Sequence, residues 1–498
     1  MIEGILIGLN TALSLKNILM VMMGCFFGTI IGMLPGLGPM TAIALMIPIT
    51  WGFDPATGLI LMAGVYYGAV FGGSTSSILI NAPGVPGTVA TSFDGYPMAQ
   101  QGKAGKALAI AAYSSFAGGT LAAIFLLFAA PSLSKVSLAF RSPDYFALMV
   151  LGLTAVSAFS SKGQFLKAMM MVVLGLMLAS VGQDTLSDIP RFVFNNMNLS
   201  DGISFVLVVM ATFAMSEALT IILKGTDPTR ASKAISLTEL GSIKLDKDET
   251  KKMLKTIPRS SVLGFLIGVL PGAGATIASF LAYGMERNYV SDEEKQKFGK
   301  GSVHGLAAPE TANNAACSGA FVPLLTLGIP GSGTTAVMLG ALLGFGIQPG
   351  PRLYMTNPEI FWSVIMSMYI GMVVLLILNL PLIPYIARIL AVPRTFLIPM
   401  ILFFSVTGIY LMSFNNFDIF LMIGIAIVAT MLRLYKFPMP PLILAFVLGG
   451  LMEENLRRSL LISDGSFSFL WDRPLTAIIL AFTILIVSWQ AYLSIKRS

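Results

Sequence analysis

Apolar runs of bilayer length follow one another along almost the whole chain, and no other feature constrains the fold as strongly. A helix needs about 17–25 mostly apolar residues to cross a membrane. Runs of that kind occupy 16–33, 105–130, 143–160, 165–182, 202–223, 358–385, 396–413, 416–432 and 474–495. Shorter or interrupted ones occupy 38–53, 56–72, 258–270, 274–286, 310–328, 333–346 and 439–452. In hydrocarbon every backbone polar group must be paired within the protein, and long runs with short loops read as helices rather than a barrel. The pattern predicts an all-α polytopic membrane protein with about a dozen transmembrane elements.

Composition supports this. Only 11% of residues are charged and 55% are apolar, against roughly 25% charged in a soluble chain. Soluble enzymes, disordered scaffolds and secreted disulfide scaffolds are excluded. The net charge of +7 is scattered between apolar runs and forms no patch with interleaved aromatics, so nucleic acid is not a partner and membrane lipid is. Cys25 and Cys317 lie in apolar or Gly-rich sequence and predict no disulfide. The N-terminus has no basic region or small-residue cleavage site, so the first run is expected to be kept.

Residues 224–259 differ, being crowded with basic and acidic residues. The positive-inside rule makes this stretch cytoplasmic, together with the C-terminal SIKRS. It divides the chain into a first membrane half (1–223), a charged linker (224–258) and a second half (259–498). Walking outward from these anchors places 183–201, 131–142, 453–473, Asn415–Asp418 and 347–357 outside. The Lys162/Lys167 turn, 92–104, Arg433/Lys436 and Arg388/Arg394 fall inside. Lys135 and Arg141 run against the rule.

The halves resemble each other. Gly28-Thr-Ile-Ile-Gly32-Met-Leu-Pro35-Gly36-Leu-Gly38 aligns with Gly264-Phe-Leu-Ile-Gly268-Val-Leu-Pro271-Gly272-Ala-Gly274 at an offset of 236 residues. Then Asn81-Ala-Pro83-Gly84, reaching Thr88, aligns with Gly328-Ile-Pro330-Gly331, reaching Thr335, at an offset of 247. Because 92–104 maps inside and its counterpart 347–357 outside, the halves read as inverted repeats, as in many secondary transporters.

Each repeat has two Pro/Gly interruptions within apolar sequence: PGLGP (35–39) and NAPGVPGT (81–88), then PGAGAT (271–276) and GIPGSGTT (328–335). Such breaks predict broken helices and re-entrant hairpins, tolerated only in protein or beside a wet cavity. Helix N-termini there offer free N–H groups to a carboxylate, while carbonyls suit Na⁺. The candidate substrate residues are Gly36, Gly38, Ser76, Ser77, Asn81, Pro83, Gly84, Gly272, Gly274, Pro330, Gly331, Ser332, Gly333, Thr334 and Thr335. Candidate Na⁺ ligands are the oxygen-bearing Ser74, Thr75, Asn81, Asn313, Asn314 and Thr334, hard donors fit for an alkali cation. The bland alternative is that small residues only let helices pack closely.

Three further residues carry two readings each. Glu217 is an intramembrane acid, functional by default, or it snorkels to the interface seven residues before Lys224. Glu310 shares a helix face with Asn313 and Asn314 and flanks an ion site, or it is the acid in the first turn of a helix begun at Pro309. His304 in its Gly-rich loop reads as a surface histidine. Gly331-Ser-Gly333-Thr-Thr-Ala336 fits a dinucleotide fingerprint, but no strand precedes it and no acid follows at the required distance. Neither a Walker A sequence nor H-E-x-x-H occurs, and no organic cofactor is expected.

At these residues the chain resembles a family, the large membrane subunit of the bacterial tripartite tricarboxylate transporters. The similarity runs nearly end to end. Its most specific stretches are LPGLGPMTAIALMIPIT (34–50), YYGAVFGGSTSSILINAPG (66–84), FDGYPMAQQGKAGKAL (93–108) and the long run from FGKGSVHGLAAPETANN to FGIQPGP (298–351). The resemblance implies a cation-coupled carboxylate importer of the bacterial inner (cytoplasmic) membrane, with an elevator-like movement. It implies a small membrane subunit of about four helices and a periplasmic solute-binding protein as partners. The family usually carries an acid where His304 stands. A stand-alone symporter or a channel is the other transport reading. An intramembrane enzyme would need a nucleophile with a base or a metal cluster, which this sequence does not offer.

Overall fold

The computed structural model describes all residues except 35–36, 138, 159–163, 185–188, 225–240, 273, 387–393 and 496–498. The described chain is helical apart from a two-residue antiparallel pairing of Gly182–Gln183 with Pro190–Arg191. Six helices are long and apolar enough to cross a membrane, and six shorter apolar helices accompany them among the described residues. The protein is an all-α, multi-pass membrane protein.

The first half opens with α1 (Ile2–Ala12), α2 (Leu15–Met33), α3 (Gly38–Thr50) and α4 (Pro55–Ile80). A 3-10 turn, Pro86–Thr88, leads into α5 (Val89–Met98), followed by α6 (Ala104–Ser137), α7 (Ser142–Ala158) and α8 (Phe165–Ala179). The half closes with α9 (Phe205–Val209), which runs through a π-helical turn, Met210–Met215, into α10 (Ser216–Lys224). The second half opens with α11 (Lys247–Val269), α12 (Gly274–Tyr289), the one-turn α13 (Asp292–Lys295), α14 (Val303–Gly319), α15 (Phe321–Leu327) and α16 (Gly333–Gly344). It continues with α17 (Leu353–Thr356), α18 (Pro358–Asn379), α19 (Ile383–Ile386), α20 (Arg394–Ser413), α21 (Asn416–Leu434), α22 (Pro440–Ile462), α23 (Phe469–Asp472) and α24 (Pro474–Ile495).

Side-chain caps set several of these boundaries. Asp54 accepts from the Thr57 N–H at the start of α4, and Ser302 from the Gly305 N–H at the start of α14. Asp246 and Glu249 form a reciprocal capping box at α11, and Ser332 and Thr335 another at α16. Each cap satisfies backbone donors that a helix start leaves unpaired.

The duplication seen in the sequence reappears as contact geometry. Helices α2 and α4 cross on facing glycines: a Cβ added at Gly28 would strike the Val65 carbonyl, and one at Gly32 the Ala69 carbonyl. Helices α11 and α14 cross in the same way, Gly264 against the Ala312 carbonyl and Gly268 against the Ala316 carbonyl. Gly72 approaches the Thr29 carbonyl, and Gly319 the Phe265 carbonyl. Every one of these pairs is related by the offsets of 236 and 247 residues. Without a hydrophobic drive between helices in lipid, such close backbone approach is what holds a crossing together. The repeats also exchange partners: α6 packs against α14 and α18 against α4.

Several boundaries depart from the sequence reading. The short element 56–72 is part of α4, buried along its whole length. The run 310–328 is two helices, α14 and α15, and Pro309 lies inside α14 rather than at its start. The segment 92–104 is helical, because its buried face of Thr91, Asp94, Gly95 and Met98 has helical spacing; the chain turns at Gly102. The outside loop 453–473 begins later, since α22 continues to Ile462, carried by i,i+4 pairs Glu453–Arg457 and Glu454–Arg458. Pro35, Gly36, Lys162, Asp188, Arg388 and residues 225–240 of the linker 224–258 lie outside the described residues.

Candidate substrate and cation site

Four helix starts converge. The Gly272 N–H donates to the Gly331 carbonyl at 3.0 Å, joining the two breaks of the second repeat. A Cβ on Gly274, at the start of α12, would lie 3.8 Å from the Ser332 Cβ that caps α16. One on Gly333 would lie 2.9 Å from the Met40 sulfur in the first turn of α3. One on Gly87, in the turn leading to α5, would lie 3.3 Å from Ala275. The starts of α3, α12, α16 and the 86–88 turn are therefore neighbours, two from each repeat. Gly38 and Gly274, equivalent by the offset of 236, both adopt left-handed backbone at φ 66° and 59°, which only glycine takes without strain. Helix N-termini concentrate unpaired N–H groups and positive potential. None of the residues named here is charged, and what they offer an anion is backbone N–H.

Around these starts, Ser332 and Thr335 are engaged in their capping box, with the Ser332 N–H donating to Thr335 Oγ1 at 2.9 Å. The Tyr66 hydroxyl lies 3.4 Å from Ser332 Oγ, and the Tyr67 hydroxyl 2.8 Å from Ser318 Oγ. Thr334 is buried in the first turn of α16. Pro330 and Gly331 are buried beside it, and Pro83 and Gly84 take the equivalent place in the first repeat.

The expected cation ligands other than Thr334 fall in two places. Asn313 and Asn314, fully buried on α14, face the first-repeat tip, Asn313 Nδ2 donating to the Gly87 carbonyl at 3.4 Å and Asn314 Nδ2 to Asn313 Oδ1 at 2.8 Å. The Asn314 Oδ1 is buried without a hydrogen-bond partner, leaving an oxygen for a cation. Ser74 and Thr75 are close by, lining a small cavity beside Glu310, whose carboxyl meets both Ser74 and Asn313. Asn81 stands apart as the exposed cap ending α4, at φ 49°, where its counterpart Gly328 has φ 69°. Asparagine tolerates this left-handed position, which is a structural reason for its presence. Ser76 and Ser77 spend their hydroxyls on the Gly73 carbonyl, and Ser77 also donates to Thr88, closing the tip of the first repeat.

The structure overturns the surface reading of His304, which is 6% exposed in the first turn of α14. Its Nδ1 lies 2.7 Å from Thr256 Oγ1 and 3.2 Å from Glu286, which also accepts two hydrogen bonds from Arg259. Glu310 is mid-helix and fully buried, so it is not a first-turn acid. Glu217 does not snorkel: it pairs with Arg433 of α21, which also donates to the Thr212 carbonyl at 2.9 Å. Sequence reasoning passed over Thr91, Ser115 and Asp94. Asp94 accepts from the N–H groups of Gly299, Gly301 and Ser302 at 2.7–2.9 Å, tying α5 to the start of α14. Only an acid set among apolar and small residues in FDGYP gave a signal for it.

A protein of Agrobacterium vitis described as "Uncharacterized 52.8 kDa protein in TAR-I ttuC' 3'region" is 41% identical over 481 residues, covering 97% of this chain and 94% of that protein. A second from the same organism, "Uncharacterized protein in TAR-II ttuC' 3'region", is 42% identical over 224 residues, 45% of this chain and 92% of that protein. No solved structure matches. The model of the tripartite tricarboxylate transporter TctA family matches residues 18–444. Its residues include all four breaks and both glycine crossings, and the chain belongs to the tripartite tricarboxylate transporter TctA family of membrane transport proteins.

Proposed function

We propose that this chain is the permease subunit of a binding-protein-dependent secondary transporter that imports tricarboxylates or related carboxylates across the bacterial inner membrane. The observation that carries the reading is the convergence of four helix starts, two from each repeat, through described residues none of which is charged. Anionic oxygens suit such N–H groups, and the neighbouring Asn313 and Asn314 supply oxygen donors for Na⁺ as coupling ion. The halves 1–223 and 259–498 act as inverted repeats about the cytoplasmic linker 224–258, and one moves against the other in elevator fashion. A periplasmic solute-binding protein delivers the carboxylate, and a small membrane subunit of about four helices completes the assembly. Reconstitution with both partners and labelled carboxylates under a Na⁺ gradient tests this. Saturable, Na⁺-driven uptake that requires the binding protein is expected; flux without it refutes the tripartite reading.

The topology has its own test. Single cysteines at Ser242, in the cytoplasmic linker, and at Ser466, beyond α22, are both exposed positions, while the native Cys25 and Cys317 are buried. Ser242→Cys should be labelled only from the cytoplasm and Ser466→Cys only from outside. Labelling of both from one face excludes the inverted arrangement.

Ligand contact at the tips is separable from backbone geometry. Thr334→Val and Asn81→Ala are expected to weaken substrate affinity by about 1–3 kcal/mol each, the worth of a ligand hydrogen bond, with normal membrane insertion. Asn81→Gly keeps the left-handed cap while deleting the amide. Uptake restored in Asn81→Gly would assign Asn81 to capping alone; uptake as low as in Asn81→Ala assigns it to ligand binding.

A further inference from the structure

A groove of about 450 Å³ lies between Leu245 and the first turns of α11. Lys247, Lys251 and Lys255 line it at intervals of four residues, stacked on one exposed helix face. None of the three has an ion-pair partner among the described residues. Their neighbours do: Lys252 pairs with Asp248 and Glu294, and Lys106 with Asp246 and Glu249. Asp246, the acid on the groove wall, is engaged, accepting from the Glu249 N–H and from Lys106. The helix start is capped by that same box, and the lysine side chains carry the groove's charge. The face that bears them continues down the helix as Pro258, Val262 and Leu266 to Leu270 at the break, all exposed, with Leu254 beside Lys255. The opposite face, with Met253, Ile257 and Gly264, is buried. From Pro258 to Leu270 the chain rises about 18 Å, close to one leaflet of a hydrocarbon core about 30 Å thick. Arg259, where the stripe turns from lysine to apolar, stands over the ring of the exposed Tyr289 at 5.3 Å. An exposed tyrosine suits the level at which hydrocarbon gives way to headgroups.

We propose that this face of α11 is a binding site for an anionic phospholipid of the inner leaflet. Lys247, Lys251 and Lys255 hold the phosphate headgroup, and an acyl chain lies along Leu254, Pro258, Val262 and Leu266. The proposal rests on the cytoplasmic placement of the linker in the permease reading. Two features select the occupant. Three lysines without acidic partners, gathered within about 12 Å of helix, call for an anion. The same stripe joins that charge directly to a leaflet's depth of exposed apolar side chains, which a free phosphate leaves uncovered and a phospholipid covers. Lysine suits the boundary, because its stem lies on apolar surface while the ammonium reaches the headgroups. A second copy of the chain, packed here about a two-fold axis, would set lysine against lysine, a like-charge contact. The bound lipid steadies the arm of the hairpin whose tip carries Gly272 and Gly274 of the candidate substrate site.

The test uses the purified full-length chain and native mass spectrometry, with phosphatidylglycerol and phosphatidylcholine of equal chain length as probes. The wild type should retain phosphatidylglycerol several-fold better than phosphatidylcholine. K247Q/K251Q/K255Q should lose that preference, and K247R/K251R/K255R should keep it. Equal retention of the two lipids by the wild type, or an undiminished preference in the glutamine variant, overturns the proposal. Inorganic phosphate in large excess should leave the lipid bound; displacement by it assigns the lysines to a soluble phosphate and overturns the lipid site. If the glutamine variant does not fold, the wild type decides, photolabelled with phosphatidylglycerol that carries a diazirine on its acyl chain. Label within 254–270 is expected, and label confined to other segments overturns the proposal. With the small membrane subunit bound the same label should persist; its loss gives the face to that subunit and overturns the lipid site. None of these measurements involves transport, so failed carboxylate uptake and a failed lipid site are told apart.

Discussion

Gly331→Val should abolish carboxylate transport, whereas Arg352→Gln should leave affinity close to wild type. A Cβ at Gly331 would stand 2.9 Å from the Gly268 carbonyl oxygen and 2.9 Å from the Ala320 Cα. Both obstacles are backbone, and neither can rotate away. Forcing extra methyl groups into such a contact costs about 1–3 kcal/mol or more. It would also part Gly331 from the Gly272 N–H that joins the two breaks. Gly84→Val should behave alike, since its Cβ would strike the Gly32 carbonyl and lie 3.1 Å from the Gly73 Cα. Arg352 is exposed ahead of the one-turn helix α17, so its charge acts on capture rate more than on affinity. Substrate affinity and folded yield, measured on each variant, check this. Complete loss of binding in Arg352→Gln with binding retained in Gly331→Val would refute a backbone-built site.

The second large effect concerns a pair outside the candidate site. Arg433→Leu is expected to destabilise the protein by about 3–5 kcal/mol, the cost of leaving a buried charge without its partner. The Glu217 and Arg433 side chains are 13% and 20% exposed. Arg433 also serves the Thr212 carbonyl in the π-helical turn that joins α9 to α10, a carbonyl that the Ser216 hydroxyl meets as well. Glu217→Leu/Arg433→Leu should recover much of the loss, because the double variant buries no uncompensated charge. Thermal unfolding of the three variants measures the coupling. Equal stability of the single and double variants would show that the pair contributes nothing.

The gap between reading and structure is clearest at the glycines. Gly272 and Gly331 each follow a proline in the same kind of Pro-Gly break, yet they need glycine for different reasons. Gly272 has the left-handed backbone, at φ 83°. Gly331 does not, and needs glycine for space alone. A Pro-Gly motif fixes that the chain breaks; which of the two constraints applies at each glycine depends on the neighbour pressed against it.

By itself the sequence determined the membrane-spanning helical class, because bilayer thickness and backbone pairing leave a chain of long apolar runs no other structure. It determined the duplication too, because a repeated crossing requires small residues at repeated positions, and Gly28, Gly32, Gly264 and Gly268 record that requirement locally. Only the tertiary structure decided what the polar residues do. Ser76 and Ser77 look like Ser74 in one local stretch, yet they close a hairpin while Ser74 reaches Glu310 on the other repeat. His304 reads as a loop residue and is buried against Glu286. A hydroxyl, imidazole or carboxyl in a membrane protein takes its role from the group it meets across the fold. Those partners, Ser115 for Glu310 and Arg433 for Glu217, lie 195 and 216 residues away in the chain, beyond the reach of any local pattern.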